Sequence, residues 1–252
     1  MNAKENINWR AATWLSLVTT FLAVLMVVSL TVSAFAREAK EMSEDSRHSI
    51  QAVEKARMTL DSFMNDEHMG AFRDLLKDAK GVLIVPQMLK GAFVVGASGG
   101  NGVFLVRDKK TGQWTGPAFY TIGGGSFGLQ IGGQASEVIL LAMTERGVNS
   151  LLANSFKLGA DTGVAAGPVG IGVAASTANL SADILTFSRS KGLYGGISLD
   201  GAVVAVRGDW NDAYYGKKVS PADIFVRRDV TNPQSAALIS DMTKSACAVG
   251  RC

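Results

Sequence analysis

Two pentads, Gly96-Ala97-Ser98-Gly99-Gly100 and Gly124-Gly125-Ser126-Phe127-Gly128, match GxSxG, the strand-to-helix turn that exposes a serine nucleophile for acyl transfer. That chemistry needs a histidine base downstream, yet His48 and His68, the only histidines, precede both serines. The stretch from Gly123 to Gly128 also satisfies GxGxxG. It runs on into Leu129-Gln130-Ile131-Gly132-Gly133, where a dinucleotide site requires a helix N-terminus for the pyrophosphate. A GxxxxGK[ST] phosphate cradle does not occur. Two separated histidines and two cysteines at the chain end do not make a transition-metal set. Asp161, Asp183, Asp200 and Asp209 stand singly at strand ends, where acids serve as turn residues. The sequence therefore predicts a chain that is not an enzyme, with no catalytic residues, no metal and no cofactor. A hydrolase using Ser98 or Ser126 is the least favoured reading.

Composition narrows the remaining classes. The 252 residues are 47% hydrophobic and 19% charged, enough for one large core and too apolar for a disordered chain. A formal net charge of +3, spread along the sequence, does not point to a nucleic-acid partner. Near the start, Lys4 and Arg10 precede a stretch from Ala11 through Ala36 without a charged side chain, and Glu38, Glu41, Glu44 and Asp45 follow it. Ala34-Phe35-Ala36 fits the small-x-small pattern of signal peptidase, so 1–36 is expected to be a signal peptide cleaved after Ala36. The competing reading is an uncleaved membrane anchor, because the apolar run is long enough to span a bilayer. Both place the body outside the cytoplasm, in the periplasm or at the cell envelope. Cys247 and Cys252 would pair in an oxidising compartment, or are incidental thiols of a frayed tail.

The elements that must position any site change character at Gly81. Before it, Ile50, Val53, Arg57, Leu60 and Phe63 or Met64 recur at helical spacing, and Phe72, Leu75, Leu76 and Ala79 suggest a second, short helix. The first helix either packs on a core or lies on a membrane, with Arg47, Lys55 and Arg57 near anionic head groups. After it, all but two of the 28 glycines fall between Gly81 and Gly216. They divide apolar runs such as Gly81 to Pro86, Ala92 to Ala97, Val103 to Arg107 and Ala118 to Ile122, which read as short strands. Thr144 is expected to cap one internal helix running to about Phe156. Strands are expected again over Thr162 to Thr177, Ala182 to Ser188, Tyr194 to Leu199 and Ala202 to Arg207. Ser220-Pro221 starts a helix, and Asn232-Pro233 starts the last one, through about Lys244. The expected fold class is α+β: a strongly curved or barrel-like antiparallel sheet of short Gly-rich strands, with N-terminal helices, one internal helix and a C-terminal helix.

Several phrases recur in one order. They are Ala79-Lys80-Gly81-Val82-Leu83-Ile84, Leu89-Lys90-Gly91-Ala92-Phe93-Val94-Val95, Gly99-Gly100-Asn101-Gly102-Val103, Gly167-Pro168-Val169-Gly170, the run from Ser190 to Gly201, and Ser220-Pro221-Ala222-Asp223-Ile224-Phe225. Together they resemble the SYLF family of lipid-binding domains, over about Asp66 to Phe225. With the apolar leader, the resemblance suggests a bacterial exported type, unlike eukaryotic members joined to SH3 or FYVE domains and linked to actin. It divides the chain into a helical segment over 37–65, a SYLF-like lipid-binding domain over 66–226, and a C-terminal helix and tail over 227–252. It implies a non-enzymatic module that binds phospholipid at an anionic membrane surface of the cell envelope. A scaffolding protein with an envelope protein partner is the alternative. Within the matching phrases, Lys80, Lys90, Arg189 and Lys191 are the candidates for holding lipid phosphates. Phe93, Tyr194 and Trp210 are candidate interfacial aromatics, Phe93 alternating within an apolar strand as a core residue would.

Overall fold

The computed structural model of the chain describes residues 26, 44–171, 181–190, 193–195, 199 and 201–247. Two compact units are present, Met1–Glu44 and Asp45–Cys252, and the second carries everything that follows. The expected signal peptide or anchor over 1–36 lies outside the described residues except for Met26.

Helix α1, over 45–65, is held by a narrow apolar stripe. Val53, Ala56, Leu60 and Phe63 recur every three or four residues and are buried, while Glu54, Lys55 and Met58 face solvent. Fully burying one such large side chain contributes roughly 1.5–3 kcal/mol. That packing favours the core-bound reading of this helix over one lying on a membrane. Asp66 then caps a 3₁₀ turn, Glu67–Met69, by accepting from the His68 N–H, and α2 follows as Gly70–Leu76.

The sheet is built on two long strands, β1 (Gly81–Arg107) and β2 (Trp114–Ala142), paired antiparallel from Gly81↔Ala142 to Arg107↔Trp114. The apolar runs between the glycines are thus joined into single strands, and the glycines lie inside them. The β1/β2 ribbon doubles back on itself. Arg107 N–H donates to the Lys80 carbonyl at 2.9 Å, and a Cβ added to Gly100 would lie 2.4 Å from the Gln87 carbonyl oxygen. One added to Gly102 would lie 2.8 Å from Leu83 Cδ1. The two halves of β1 therefore lie side by side, and only glycine admits that approach.

The remaining strands extend both outer flanks of the folded ribbon. They are β3 (Ser155–Lys157), β4 (Val164–Ala166), β5 (Ile184–Ser190), β6 (Leu193–Gly195) and β7 (Val203–Val206). β7 pairs with Tyr120 to Gly123 of β2, and β3 pairs with β7. β5 pairs with Ser136 to Ala142 of β2 and carries β6 and the parallel β4. The result is the strongly curved, mostly antiparallel sheet expected from the sequence, with helices at its start, middle and end. Of the stretch expected as strand over Thr162 to Thr177, Val164–Ala166 forms β4 and 172–177 lies outside the described residues.

Both faces of the sheet are covered, which is why its strands read as continuous apolar runs. Val82, Ile84, Ile139, Leu141 and Leu185 face one core, which α1, α2, α4 (Gly208–Tyr215) and α5 (Ala236–Cys247) complete. Leu83, Val85, Val138, Leu140 and Ile184 face the other, with α3 (Glu145–Leu152) and the turn that holds Ile224 and Phe225. Thr144 caps α3 by accepting from the Gly147 N–H at 3.1 Å. The helix stops at Leu152, short of the expected Phe156, because Ala153 turns extended and Phe156 enters the β3 ladder with Val204. At the end of the chain, Pro221 and Ala222 open a turn that continues as a π-helix, Asp223–Arg227. Asn232 caps the 3₁₀ turn Pro233–Ser235 that leads into α5.

Candidate functional site

A groove lies between α1 and the ribbon where β1 starts to bend. Two cavities of about 540 Å³ each share Lys55, Pro86 and Gln87. Pro86 has no N–H to give the ladder, and the β1/β2 register shifts between Val85 and Met88, so the strand bulges here and leaves space under the helix. Gly99 and Gly100 line the same space from the second half of β1. On the rim, Met58 is 63% exposed and Leu89 54%.

One end of the groove is closed by Arg207. Its Nη1 donates to Asn101 Oδ1 at 2.9 Å, its Nε approaches Asp209 Oδ2 at 3.3 Å, and its Cζ lies 4.0 Å from the Trp210 ring centroid. Thr121 Oγ1 also donates to Asn101 Oδ1, at 3.0 Å, and the His48 ring lies 6.0 Å from that of Trp210. Lys55 stands between this end and the other as an exposed ammonium on α1.

The opposite end is closed by Arg189. Its Nε and Nη2 donate to Glu137 Oε2 at 2.9 and 2.7 Å, and its Nη1 reaches Asp66 Oδ2 at 3.4 Å. Thr59 of α1 donates to the other Glu137 oxygen at 3.2 Å, so the network ties the helix to the sheet. Burial pushes the Asp66 carboxyl up, but the hydrogen bonds from the His68 backbone and ring and from Arg189 outweigh it and leave the pKa below its ordinary value. Burial likewise works against the Arg189 cation, and its bonds to Glu137 and Asp66 overcome that and raise its pKa.

The sequence candidates are separated by this architecture. Arg189 lines the groove, and Lys90 adjoins it as the exposed neighbour of Leu89, opposite Gln134 in the ladder. Lys80 stands at the start of β1, 3.3 Å from Glu145, which Lys109 also approaches at 2.8 Å. These two ammonium groups hold Glu145 below the ordinary carboxylate range, Lys109 by the stronger bond and burial opposing. Lys191 lies outside the described residues, as does Cys252, the expected partner of Cys247 at the end of α5. Trp210, expected as an interfacial aromatic, is 7% exposed and packs on Phe119 with ring centroids 5.9 Å apart, so it serves the core. The side chains of Phe93 and Tyr194 lie outside the described residues. Arg207 was missed as a site residue; its one sequence signal is a cation three positions before a tryptophan at a predicted strand end.

The serine motifs have no elbow. Ser98 pairs with Gly124 and Gly96 with Ser126 in the β1/β2 ladder, so both pentads lie mid-strand, facing each other. The GxGxxG stretch sits in the same strand, β2, which continues to Ala142 without a helix. Among the described residues no group of three or more His, Cys, Asp or Glu could hold a metal ion.

A family model described as Ysc84, Las17-binding protein actin regulator, matches residues 123–246. The chain is also similar to SH3 domain-containing YSC84-like protein 1 of Bos taurus, 30% identical over 164 residues, covering 64% of this chain and 47% of the relative. It is similar to the Rattus norvegicus protein of that name, 30% identical over 173 residues, covering 68% of this chain and 50% of the relative. Protein YSC84 of Saccharomyces cerevisiae is 30% identical over 170 residues, covering 66% of this chain and 36% of the relative. The chain thus spans about half the length, or less, of the curated relatives it matches. The matched description is that of a regulator, in agreement with a non-enzymatic chain.

These similarities correct the expected class. The resemblance was assigned to a bacterial exported type, whereas the family is described by actin regulation and the relatives are proteins of cattle, rat and yeast. The signal-peptide, periplasmic and cell-envelope assignments and the envelope function are overturned with it.

Proposed function

We propose that this chain is a non-enzymatic binding module that holds anionic phospholipid head groups in the groove between α1 and the folded ribbon. The observation that carries the reading is the groove itself. Lys55 stands between Arg189 and Arg207, with the exposed apolar side chains of Met58 and Leu89 on the rim. Cations beside exposed apolar groups suit an interface between head groups and acyl chains. Lys55 and Lys90 are the exposed ammonium groups of this arrangement. Arg189, already committed to Glu137 and Asp66, shapes the wall and offers what remains of its charge. Lys80, held at Glu145 at the start of β1, is a separate phosphate contact in this reading, and Lys191 is included on its sequence phrase alone.

The test is flotation of the full chain with vesicles of phosphatidylserine in phosphatidylcholine and with phosphatidylcholine alone, at low and high salt. A variant carrying Lys55→Glu, Met58→Ser and Leu89→Ser accompanies it, all three positions being exposed. Selective binding to the anionic vesicles, weakened by salt and lost in the variant, is expected. Equal binding to both vesicles, or an unaffected variant, would sink the proposal. A protein partner is the second reading, favoured by the Las17-binding description of the matched family.

A further inference from the structure

Away from the groove, the turn after Pro221 combines three features that packing does not require. It is a π-helix, Asp223–Arg227, a form that concentrates at functional sites. It ends at Arg228 with φ 59° and ψ 38°, the single non-glycine residue with positive φ among the described residues. It also turns Val226 outward, 68% exposed, while its neighbours Ile224 and Phe225 are buried. Phe225 packs edge-on against Phe104, with ring centroids 5.3 Å apart, so the turn is anchored in the core and the exposure of Val226 is built in.

Basic side chains are linked to this turn by ion pairs and hydrogen bonds. Arg228 pairs with Asp108, which brings the loop of Lys109 and Lys110 to the turn. Arg227 pairs with Asp223 and lies 3.3 Å from Asp229, whose carbonyl accepts from Lys217 Nζ at 3.4 Å. Lys110, Lys217 and Lys218 have no carboxylate partner among the described residues. The turn and its neighbours are thus cationic in excess, with one exposed apolar side chain, Val226, on the turn itself.

We infer that this face docks an acidic segment of a partner protein, whose apolar residue covers Val226 while its carboxylates pair with Lys110, Lys217, Lys218 and Arg227. The charge complementarity selects the occupant. A single apolar contact amid cations interleaved with Asp108, Asp223 and Asp229 fits a short chain whose carboxylates avoid those acids. A continuous anionic lipid surface would press head groups against them as well. The surface shares no residue with the groove, so it stands or falls independently of lipid binding there.

The experiment is fluorescence anisotropy of a labelled peptide of glutamates around one central leucine, titrated with the full chain. Salt-sensitive binding is expected, weakened about tenfold by Lys217→Glu with Lys218→Glu, and weakened by Val226→Ser. Replacing the peptide's glutamates by glutamines abolishes it. Circular dichroism of each variant, all changed at exposed positions, checks that the fold is retained. An absent signal, or equal affinity for the variants, overturns the inference. So does displacement of the peptide by phosphatidylserine vesicles whose binding is lost in the Lys217→Glu, Lys218→Glu chain, which would make this face a lipid surface.

Discussion

Arg207 carries its guanidinium over the Trp210 indole, 4.0 Å from the ring centroid, and the same tryptophan packs its ring on Phe119. The end wall of the groove is therefore continuous with the core beneath the sheet. Trp210→Ala is expected to cost about 3–5 kcal/mol in urea unfolding. Arg207→Ala costs about 1 kcal/mol, and a double-mutant cycle should return a coupling of about 0.5–2 kcal/mol. Additive effects would show that the stacking contributes nothing.

Asn211 is fully buried on α4 and serves Phe119 of β2, which pairs with Val103 of β1 and lies just before the stretch that pairs with β7. Its Oδ1 accepts from the Phe119 N–H at 2.9 Å, and its Nδ2 donates to the carbonyls of Phe119 and Arg207 at 3.3 and 3.0 Å. Asn211→Leu strands the Phe119 N–H away from water, at about 1–3 kcal/mol, while the two carbonyls keep the backbone N–H groups of Arg207 and residue 211. Amide exchange at Phe119 should then accelerate beyond what the global loss of stability accounts for.

Asp66 makes stability depend on acid. Its folded pKa lies below the ordinary value of 3.8, so the unfolded chain binds the proton more readily. The stabilisation is complete above that value and is lost as pH falls through the folded pKa. Thermal unfolding followed from pH 6 downward should show Asp66→Asn less stable than the parent near neutrality. The two should converge in strong acid. A constant difference across the range would contradict the assignment.

Gly100 and Gly91 lie in the same strand and should respond differently. A Cβ at Gly100 meets the Gln87 backbone carbonyl, which cannot move without displacing the other half of β1, whereas nothing lies within 4 Å of one at Gly91. Gly100→Ala is expected to destabilise by at least about 1–3 kcal/mol, and Gly91→Ala to stay within about 0.5 kcal/mol of the parent. Denaturant midpoints of the two variants settle it.

Local signals were legible. The three- and four-residue spacing of Val53, Leu60 and Phe63, the Thr144 cap and the Asn232-Pro233 start each describe an element whose stabilisation is local in sequence. The glycines were harder, because a residue that ends a strand and one that lets two strands touch look alike until the partner is known. Gly100 is required by Gln87, on the far side of the bend. The same limit hid the groove, whose cations Lys55, Arg189 and Arg207 belong to three distant elements. Arg189 was singled out from its phrase, but the phrase could not show that Glu137 and Asp66 already hold its charge.

The folded ribbon also sets an order of assembly. Residues beside the loop after Arg107 pair with near neighbours in the chain, while Gly81 finds Ala142 roughly 60 positions away. Zipping from that loop adds each pair at little further cost in loop closure, until the bend brings Lys80 to Arg107 and the outer strands gain two flanks to join. Substitutions near Phe104 and Ala118 should therefore slow refolding, whereas those near Val82 and Leu141 should chiefly speed unfolding.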